Sequence, residues 1–352
     1  MNAEIRPYTS GDEDGLIRLL NAEFSSQITY EEWDWKYLRN PAGDPITVIA
    51  EYGETIVGHL STIPVWMTVH GRRLLGVQWV DFAMDAELRK TLAGAKIIMK
   101  MCRFWQKQTA CRSDIGIGYG YPSPHFVSFS LAYWGYKTIL PAPQLVKIVN
   151  PAYVLDRVLS RIQIHSRNDR GLCFQFRDFF RKRVTEAHHD DEAGRIHIFD
   201  SRFDELWYKA SKTWNIAIIR DSSYLNWRYA PKRYTSLFME SHGEVTGFSV
   251  TRIISWNGWN IGLIGDLVAI DETTASRLVS STVKHLKTQG ADIIRCWIVP
   301  TDPIYKTVRK QGFVQRESPY SLLAGTHSSD LLIESMTDPA DWYISLSDSD
   351  GL

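Results

Sequence analysis

Four side chains able to carry protons lie in two short stretches of the sequence. Asp81 stands near the end of the apolar stretch WVDFAM, and Tyr119, Tyr121 and His125 follow one another in the segment IGIGYGYPSPHF. A carboxylate, an imidazole or a phenol can move a proton in general acid–base catalysis. His125 starts a predicted helix, where the helix dipole disfavours the protonated imidazole and so favours a base. These residues predict proton-transfer chemistry.

Each of these residues also has a structural interpretation. Asp81 could simply pair with a nearby Lys or Arg, and His125 could face solvent at a helix start. The glycines at 116, 118 and 120 permit close approach of a ligand to the backbone, but they would equally suit a bulged strand.

The segment between residues 82 and 95 could bind an anion. It joins a predicted strand to the predicted helix GAKIIMKMCRFWQKQ, with Arg89, Lys90 and Gly94 in between. The first N–H groups of a helix have no partner in the helix and lie at its positive end, and small residues let an anion approach. Arg89 and Lys90 would add positive charge. The alternative is an exposed strand-to-helix turn without a ligand.

Other chemistries lack their motifs. The sequence contains no Gly-x-Ser-x-Gly elbow, no Walker loop and no His-Glu-x-x-His pair, and the GxGxG spacing is not that of a dinucleotide-binding loop. The four cysteines lack metal-site spacing and fit reduced thiols. Residues 188–191 (HHDD) could bind a metal, but a polar surface loop is the favoured interpretation. We therefore expect no metal site.

Length and charge limit the class of protein. A chain of 352 residues is long enough for two hydrophobic cores. Forty basic residues balance forty acidic ones, which argues against a general nucleic-acid binder. No signal-peptide pattern is present, and no apolar run approaches the roughly 20 residues that span a bilayer. We expect a cytoplasmic protein without a transmembrane segment.

The predicted elements occur twice in the same order. A strand and two helices precede three strands, and then a helix, a strand, a helix and a strand follow. Trp35-Lys36-Tyr37 in the first half corresponds to Trp227-Arg228-Tyr229 in the second. We predict domains over 1–149 and 195–352, joined by a helical, basic segment at 150–194 whose residues 157–183 could form a solvated linking face or a phosphate or membrane site.

This order resembles the GNAT (GCN5-related N-acetyltransferase) fold. The resemblance implies an α/β (α+β) protein of two tandem GNAT-like domains, each a mixed, mostly antiparallel sheet flanked by helices. In that family a loop motif Arg/Gln-x-x-Gly-x-Gly/Ala binds the pyrophosphate of coenzyme A. Here Arg89 matches the first position and Gly94 the last. The resemblance therefore assigns acetyl-CoA or another acyl-CoA to Phe82, Ala83, Met84, Arg89, Lys90, Thr91, Leu92, Ala93, Gly94 and Ala95.

Two positions depart from the family pattern. Leu92 replaces the middle glycine of the loop motif, and Leu131 replaces the tyrosine that commonly protonates the leaving thiolate. The second half carries Asp271 and Glu272 in its corresponding loop, and these carboxylates would repel a pyrophosphate. We therefore expect only the first half to bind acyl-CoA.

The resemblance implies an acyl-CoA-dependent N-acyltransferase that acts on the primary amine of a small molecule. Asp81, His125 and Tyr121 are its catalytic candidates, and Tyr119, Tyr121 and Asp266 its acceptor-binding candidates. A loose similarity to enzymes of surface-polysaccharide synthesis suggests an amino sugar on a nucleotide as the amine. The alternatives are a catalytically degenerate pair that binds acyl-CoA or scaffolds partners, and an aminoacyl transferase acting on a peptidoglycan precursor.

Overall fold

The computed structural model describes residues 3–25, 27–161, 175, 177–180, 193–230, 233–327, 331 and 333–350. Their contacts divide the chain into two compact units, and each unit is discontinuous in sequence. Unit 1 consists of Met1–Leu140, Ile216–Ile219 and Tyr320–Asp338, and unit 2 of Pro141–Asn215, Arg220–Pro319 and Pro339–Leu352.

Fifteen strands and ten helices are described. The strands are β1 (Glu4–Pro7), β2 (Ile46–Tyr52), β3 (Thr55–Val69), β4 (Arg72–Met84), β5 (Ile115–Gly120), β6 (Lys137–Pro141), β7 (Gln144–Ile148), β8 (Gly194–Ile196), β9 (Ile216–Ile218), β10 (Thr235–Ser241), β11 (Glu244–Trp256), β12 (Trp259–Ala269), β13 (Ile293–Trp297), β14 (Val314–Gln315) and β15 (Ser321–Thr326). The helices are α1 (Glu13–Phe24), α2 (Tyr30–Tyr37), α3 (Ala86–Arg89), α4 (Leu92–Ala110), α5 (Pro124–Trp134), α6 (Pro151–Arg161), α7 (Ser201–Ala210), α8 (Ser222–Arg228), α9 (Glu272–Thr288) and α10 (Tyr305–Lys310).

Unit 1 is built on an eight-stranded sheet. Its strands follow the order β1-β2-β3-β4-β5-β15-β6, and β9 pairs with β3 beside this path. The pair β4–β5 is parallel, whereas β1–β2, β2–β3, β3–β4, β3–β9 and β5–β15 are antiparallel. The parallel pair occurs where α4 crosses from the end of β4 to the start of β5, as parallel strands require a crossover connection.

Unit 2 repeats this plan with a seven-stranded sheet. Its strand order is β14-β7-β13-β12-β11-β10-β8, and β12–β13 is the parallel pair. Helix α9 makes the crossover and buries Leu278, Val279 and Leu286 in the core of the unit. The predicted fold class, with two mixed and mostly antiparallel sheets flanked by helices, is confirmed.

Helix α4 covers the sheet of unit 1 because its apolar residues recur at helical spacing. Ile97, Met101 and Trp105 are buried against Leu60, Val77 and Met84 of the sheet. Its polar side carries exposed lysines, so the helix has one apolar and one solvated face. Within the described residues, no helix combines the length and apolar character needed to cross a bilayer.

Three short strands have no counterpart in the sequence prediction. β7 follows β6 directly along the chain but pairs with β13 in the sheet of unit 2. β9 and β15 come from the second half of the sequence but pair with β3 and β5 in unit 1. Each sheet therefore includes strands from both halves of the sequence. The domain limits 1–149, 150–194 and 195–352 stay a prediction, and most of the basic segment 157–183 lies outside the described residues.

Gly118 of β5 stands where unit 1 is packed most tightly. A Cβ at this position would lie 1.8 Å from the Tyr136 hydroxyl oxygen and 2.7 Å from Nε2 of His327. At Gly116, two residues earlier, a Cβ would lie 3.3 Å from flexible leucine side chains. The glycines of this strand therefore accommodate side chains of unit 1 itself.

We predict that Gly118→Ala lowers the free energy of unfolding by about 1–3 kcal/mol or more, because overpacking forces its neighbours to move. Gly116→Ala is the matched control and should cost less than about 1 kcal/mol. Urea denaturation followed by tryptophan fluorescence measures both. Equal destabilisation of the two variants would contradict this account of the packing.

Candidate active site

Strand β4 contains a β-bulge at Asp81. The pairing of β3 with β4 passes from Ser61↔Val80 to His59↔Ala83, so β4 carries one extra residue. Asp81 takes up the irregularity with a φ of +45°. Asp tolerates this left-handed conformation better than most residues with a side chain. The bulge turns the Asp81 side chain toward helix α2.

The Asp81 carboxylate is bound by two consecutive residues of α2. Lys36 Nζ lies 2.6 Å and the Tyr37 hydroxyl 2.5 Å from the same oxygen, Oδ2. The aspartate side chain is only 13% exposed, so the ion pair with Lys36 is largely shielded from solvent. Asp81 thus pairs with a lysine, as expected if its role is structural. A carboxylate held in this way can orient a polar ligand, but the nearby positive charge makes it a weaker proton acceptor.

His59 of β3 fixes the backbone of the bulge. Its Nδ1–H donates to the Asp81 carbonyl oxygen over 2.7 Å, and the imidazole is fully buried. Burial lowers the His59 pKa, so the ring is neutral and Nε2 is a hydrogen-bond acceptor. Nε2 has no partner among the described residues. His59 could not be predicted from the sequence, because nothing in its neighbourhood marks it as more than a strand residue.

Three residues before the bulge, the pairing of β4 with β5 ends. The parallel pairing is confined to Leu75–Gln78 of β4, which lie opposite Ile115–Tyr119 of β5, although β4 continues to Met84. Alternate residues of an extended strand direct their N–H and C=O groups to the side away from β3. β5 ends at Gly120, so from Trp79 onward this side of β4 faces no neighbouring strand, and we call the region beside it the slot.

A hydrogen-bonded relay fixes the Trp79 side chain at the closed end of this slot. Its indole Nε1–H donates to the Tyr136 hydroxyl over 2.9 Å, and that oxygen lies 3.1 Å from Nε2 of His327. Because an indole only donates, the Tyr136 oxygen accepts from Trp79, and the Tyr136 hydroxyl can donate its own proton to Nε2 of a neutral His327. His327 is then the neutral tautomer protonated on Nδ1. Burial lowers its pKa to about 4.

The open end of the slot faces the start of α4. Thr91 caps this helix by accepting the Gly94 N–H over 3.0 Å. The N–H groups of Leu92 and Ala93 are the first of the helix and have no acceptor within it. The Leu92 side chain is 85% exposed, so it does not cover them. A helix start of this kind can bind an anion.

The basic residues of the loop pair with acids. Arg89 Nη1 lies 2.6 Å from Oε2 of Glu23, and Lys90 Nζ lies 2.7 Å from Oε1 of Glu87. Both basic side chains are more than half exposed. The Lys90–Glu87 pair is exposed on both sides and contributes little stability, so a phosphate can replace the Glu87 carboxylate at small cost, whereas the Glu23 side chain that binds Arg89 is only 7% exposed.

The packing of α3 against α4 requires a glycine at position 94. A Cβ there would lie 2.1 Å from the Leu88 carbonyl oxygen, because α3 approaches the first turn of α4 closely. The family resemblance assigns this glycine to the binding of a pyrophosphate. Its packing against α3 accounts for the residue without a ligand, so Gly94 is a poor position at which to test binding.

The other predicted catalytic and acceptor residues of the first half lie near the slot. Tyr119 is buried on β5, and Tyr121 follows the strand and is half-buried. His125 belongs to the first turn of α5, and its side chain lies outside the described residues. Leu131, at the position of the usual acid, is 38% exposed on the same helix. The roles of Tyr119, Tyr121 and His125 stay predictions.

Asp266 of β12 is the counterpart of Asp81 in unit 2. It follows a bulge at Gly265, and its Oδ2 accepts the Tyr229 hydroxyl over 2.5 Å, as Asp81 accepts that of Tyr37. Tyr37 and Tyr229 are the tyrosines of the repeated Trp-Lys/Arg-Tyr motif. Asp266 is fully buried and pairs with Arg220 over 3.0 Å. Its surroundings are those of a core residue, and we leave it out of the site proposed below.

The C-terminal segment fills the parting of β12 from β13. The Tyr343 hydroxyl donates to the Leu267 carbonyl oxygen over 3.3 Å, and Ile344 and Ser345 line the small remaining pocket with Gly265. Buried Arg220 binds this segment through Ser345 Oγ and the Asp348 carboxylate. The slot that is open at the end of β4 is therefore occupied in unit 2.

The helix start in unit 2 is also occupied. Asp271 caps α9 by accepting the Thr274 N–H over 2.7 Å, and Glu272 pairs with Lys310. A carboxylate already holds the position that a phosphate would take. Among the described residues, no group of three His, Cys, Asp or Glu is arranged as a metal site, and residues 188–191 lie outside them.

Comparison with known proteins gives one match of sequence and many of structure. Residues 4–126 match the acetyltransferase (GNAT) domain family. Residues 4–126 form a GNAT acetyltransferase domain. This GNAT domain holds the bulge at Asp81, the parted strands and the start of α4. No curated protein matches the sequence.

The structural neighbours carry the same fold over 92% of the chain. A probable N-acyltransferase of Enterococcus faecalis has 12% identity and a TM-score of 0.60 over 72% of its own length. A GCN5-related N-acetyltransferase of Anabaena variabilis has 11% identity and a TM-score of 0.59 over 72%. N-myristoyltransferase of Saccharomyces cerevisiae, solved with myristoyl-CoA, has 12% identity and a TM-score of 0.60 over 82%. The predicted tandem GNAT fold is confirmed.

We predict that His327 makes the stability of unit 1 depend on pH. Its pKa is about 4 in the folded protein and about 6.5 in an unfolded chain. The unfolded chain therefore binds a proton that the folded chain excludes, and stability is lost as pH falls from 6.5 toward 4. His327→Gln keeps an acceptor for Tyr136 but cannot titrate. Between pH 7.5 and 4.5, the wild type should lose about 2 kcal/mol more unfolding free energy than this variant.

Urea denaturation at both pH values measures the difference. His242→Gln, at an exposed histidine of unit 2, is the control and should behave as the wild type does. If His327→Gln loses as much stability on acidification as the wild type, the lowered pKa assigned to His327 is wrong.

Proposed function

We propose that this protein transfers an acyl group from acyl-CoA to the primary amine of a small molecule. The observation that carries the proposal is the slot between β4 and β5, which lies in the GNAT domain between the bulge at Asp81 and the start of α4. The thioester would lie in the slot and the pyrophosphate at the helix start. The neighbours named as N-acyltransferases and the bound myristoyl-CoA of the yeast enzyme support this choice of substrate.

The reaction balances without a metal or redox partner. The uncharged amine attacks the thioester carbonyl, a C–N bond forms, the C–S bond breaks, and the amine proton leaves while the thiolate is protonated. Backbone N–H groups along the unpaired edge of β4 can stabilise the charge that develops on the carbonyl oxygen. We assign the anchoring of the acceptor amine to Asp81, with proton removal by Asp81 or His125 as the alternative.

We assign the coenzyme to the start of α4 and not to that of α9. Leu92→Glu adds a negative charge at the first position of α4 on an exposed side chain, so the fold should persist. Charge repulsion should weaken acyl-CoA binding by roughly tenfold or more. Leu92→Gln, of the same shape but neutral, is the matched control. Isothermal calorimetry with acetyl-CoA measures both, and equal affinities would contradict the assignment.

A thiol-release assay tests the activity itself. Acetyl-CoA is offered with a panel of primary amines, including amino sugars on nucleotides, because a loose sequence resemblance suggested them. Release of thiol that depends on one amine supports the proposal. If acyl-CoA binds but no amine is ever acylated, a binding or scaffolding role replaces the enzyme. The comparisons add no support for a sugar acceptor or for aminoacyl transfer.

The two roles considered for Asp81, anchoring the amine and removing its proton, predict different kinetic effects of one substitution. Asp81→Asn keeps the size of the side chain and removes its charge, and acyl-CoA affinity should be unchanged. If Asp81 anchors the amine, KM for the amine rises while kcat changes little; if it removes the proton, kcat falls by about 10²–10⁴-fold. Initial rates over a range of amine concentrations distinguish the two. A variant with both constants unchanged would remove Asp81 from the site.

A further inference from the structure

The closed end of the slot is formed by aromatic rings. Trp79 is the first residue of β4 after its last pairing with β5, and its ring centroid lies 4.4 Å from that of Trp105 on α4 and 4.7 Å from that of Trp134 on α5. Trp105 is fully buried. The three indoles contact one another, with 5.1 Å between the Trp105 and Trp134 centroids. They fill the space between the sheet and the two helices.

This wall has little freedom to move. Trp79 donates to Tyr136, whose hydroxyl oxygen is hydrogen-bonded to Nε2 of His327, and the His327 ring contacts Trp105 edge-on with 5.4 Å between the ring centroids. The glycine at 118 has no space even for a methyl group beside the Tyr136 hydroxyl. Any rotation of the Trp79 indole would break a buried hydrogen bond and drive a ring into its neighbours.

On the proposed function, on which this inference rests, the coenzyme enters at the start of α4 and its acyl group points into the slot. The acyl group is the leading end of the molecule, so the closed end of the slot limits its length. We infer that Trp79 is a specificity-determining residue that restricts the donor to short acyl groups such as acetyl and propionyl. Tyr136 and His327 are positioning residues that hold the indole in place.

The test compares acetyl-, butyryl-, octanoyl- and myristoyl-CoA by calorimetry and by thiol release. For the wild type we expect binding and turnover to fall at least tenfold from acetyl to octanoyl. Trp79→Ala should raise the octanoyl-to-acetyl ratio at least tenfold, and Tyr136→Phe, which removes only the hydroxyl, should raise it by a smaller factor. Trp79→Leu provides a milder enlargement if the alanine variant unfolds, which circular dichroism detects.

Trp66→Ala is the matched control. This half-buried tryptophan of β3 lies four residues along the strand from Thr62, the partner of Trp79, and its ring stacks against Arg73. Its loss should therefore leave the octanoyl-to-acetyl ratio unchanged. A wild type that uses octanoyl-CoA as well as acetyl-CoA overturns the inference, as does an unchanged ratio in both Trp79 variants. If no acyl-CoA of any length binds, the proposed function itself fails.

Discussion

A strand that loses its neighbour on one side must find other partners for the backbone groups on that side, and both units of this protein are organised around that requirement. β4 and β12 pair with a parallel neighbour for only four and three residues, and beyond that point each pairs only with its antiparallel neighbour, β3 or β11. An unpaired backbone polar group costs about as much as a lost hydrogen bond unless water, a side chain or a ligand satisfies it. Each unit also places a bulge and an aspartate on this strand, bound by the tyrosine of the preceding helix.

The two units meet the requirement differently. In unit 2, the Tyr343 hydroxyl binds the Leu267 carbonyl, and Arg220 draws the C-terminal segment inward through two buried carboxylates. In unit 1, aromatic side chains close only the inner end of the slot, and the start of α4 stays uncovered. The same strand geometry is therefore packed with protein in one unit and left available to a ligand in the other.

Much of the fold could be predicted because hydrophobic periodicity is local. The long strands and the two crossover helices have clear patterns, and the Trp-Lys/Arg-Tyr repeat correctly indicated a duplication. β7, β9 and β15 could not be predicted in the same way, since a strand of three to six residues carries no record of the distant strand that it joins. His59 and His327 were missed for a related reason: their importance depends on contacts with Asp81 and Tyr136, which are remote in sequence.

The exchange of short strands has a consequence for how the chain can be made. β5 pairs with β15, so Gly120 is synthesised long before its partner Leu323. β13 pairs with β7, which is synthesised much earlier than β13. The GNAT domain therefore emerges with an open strand edge long before its partner is synthesised, and open edges invite pairing with other chains. Neither half of the gene encodes a finished sheet. The sheet of unit 1 can be completed only when nearly the whole chain is available, and a protein divided at its midpoint would lack strands in both sheets.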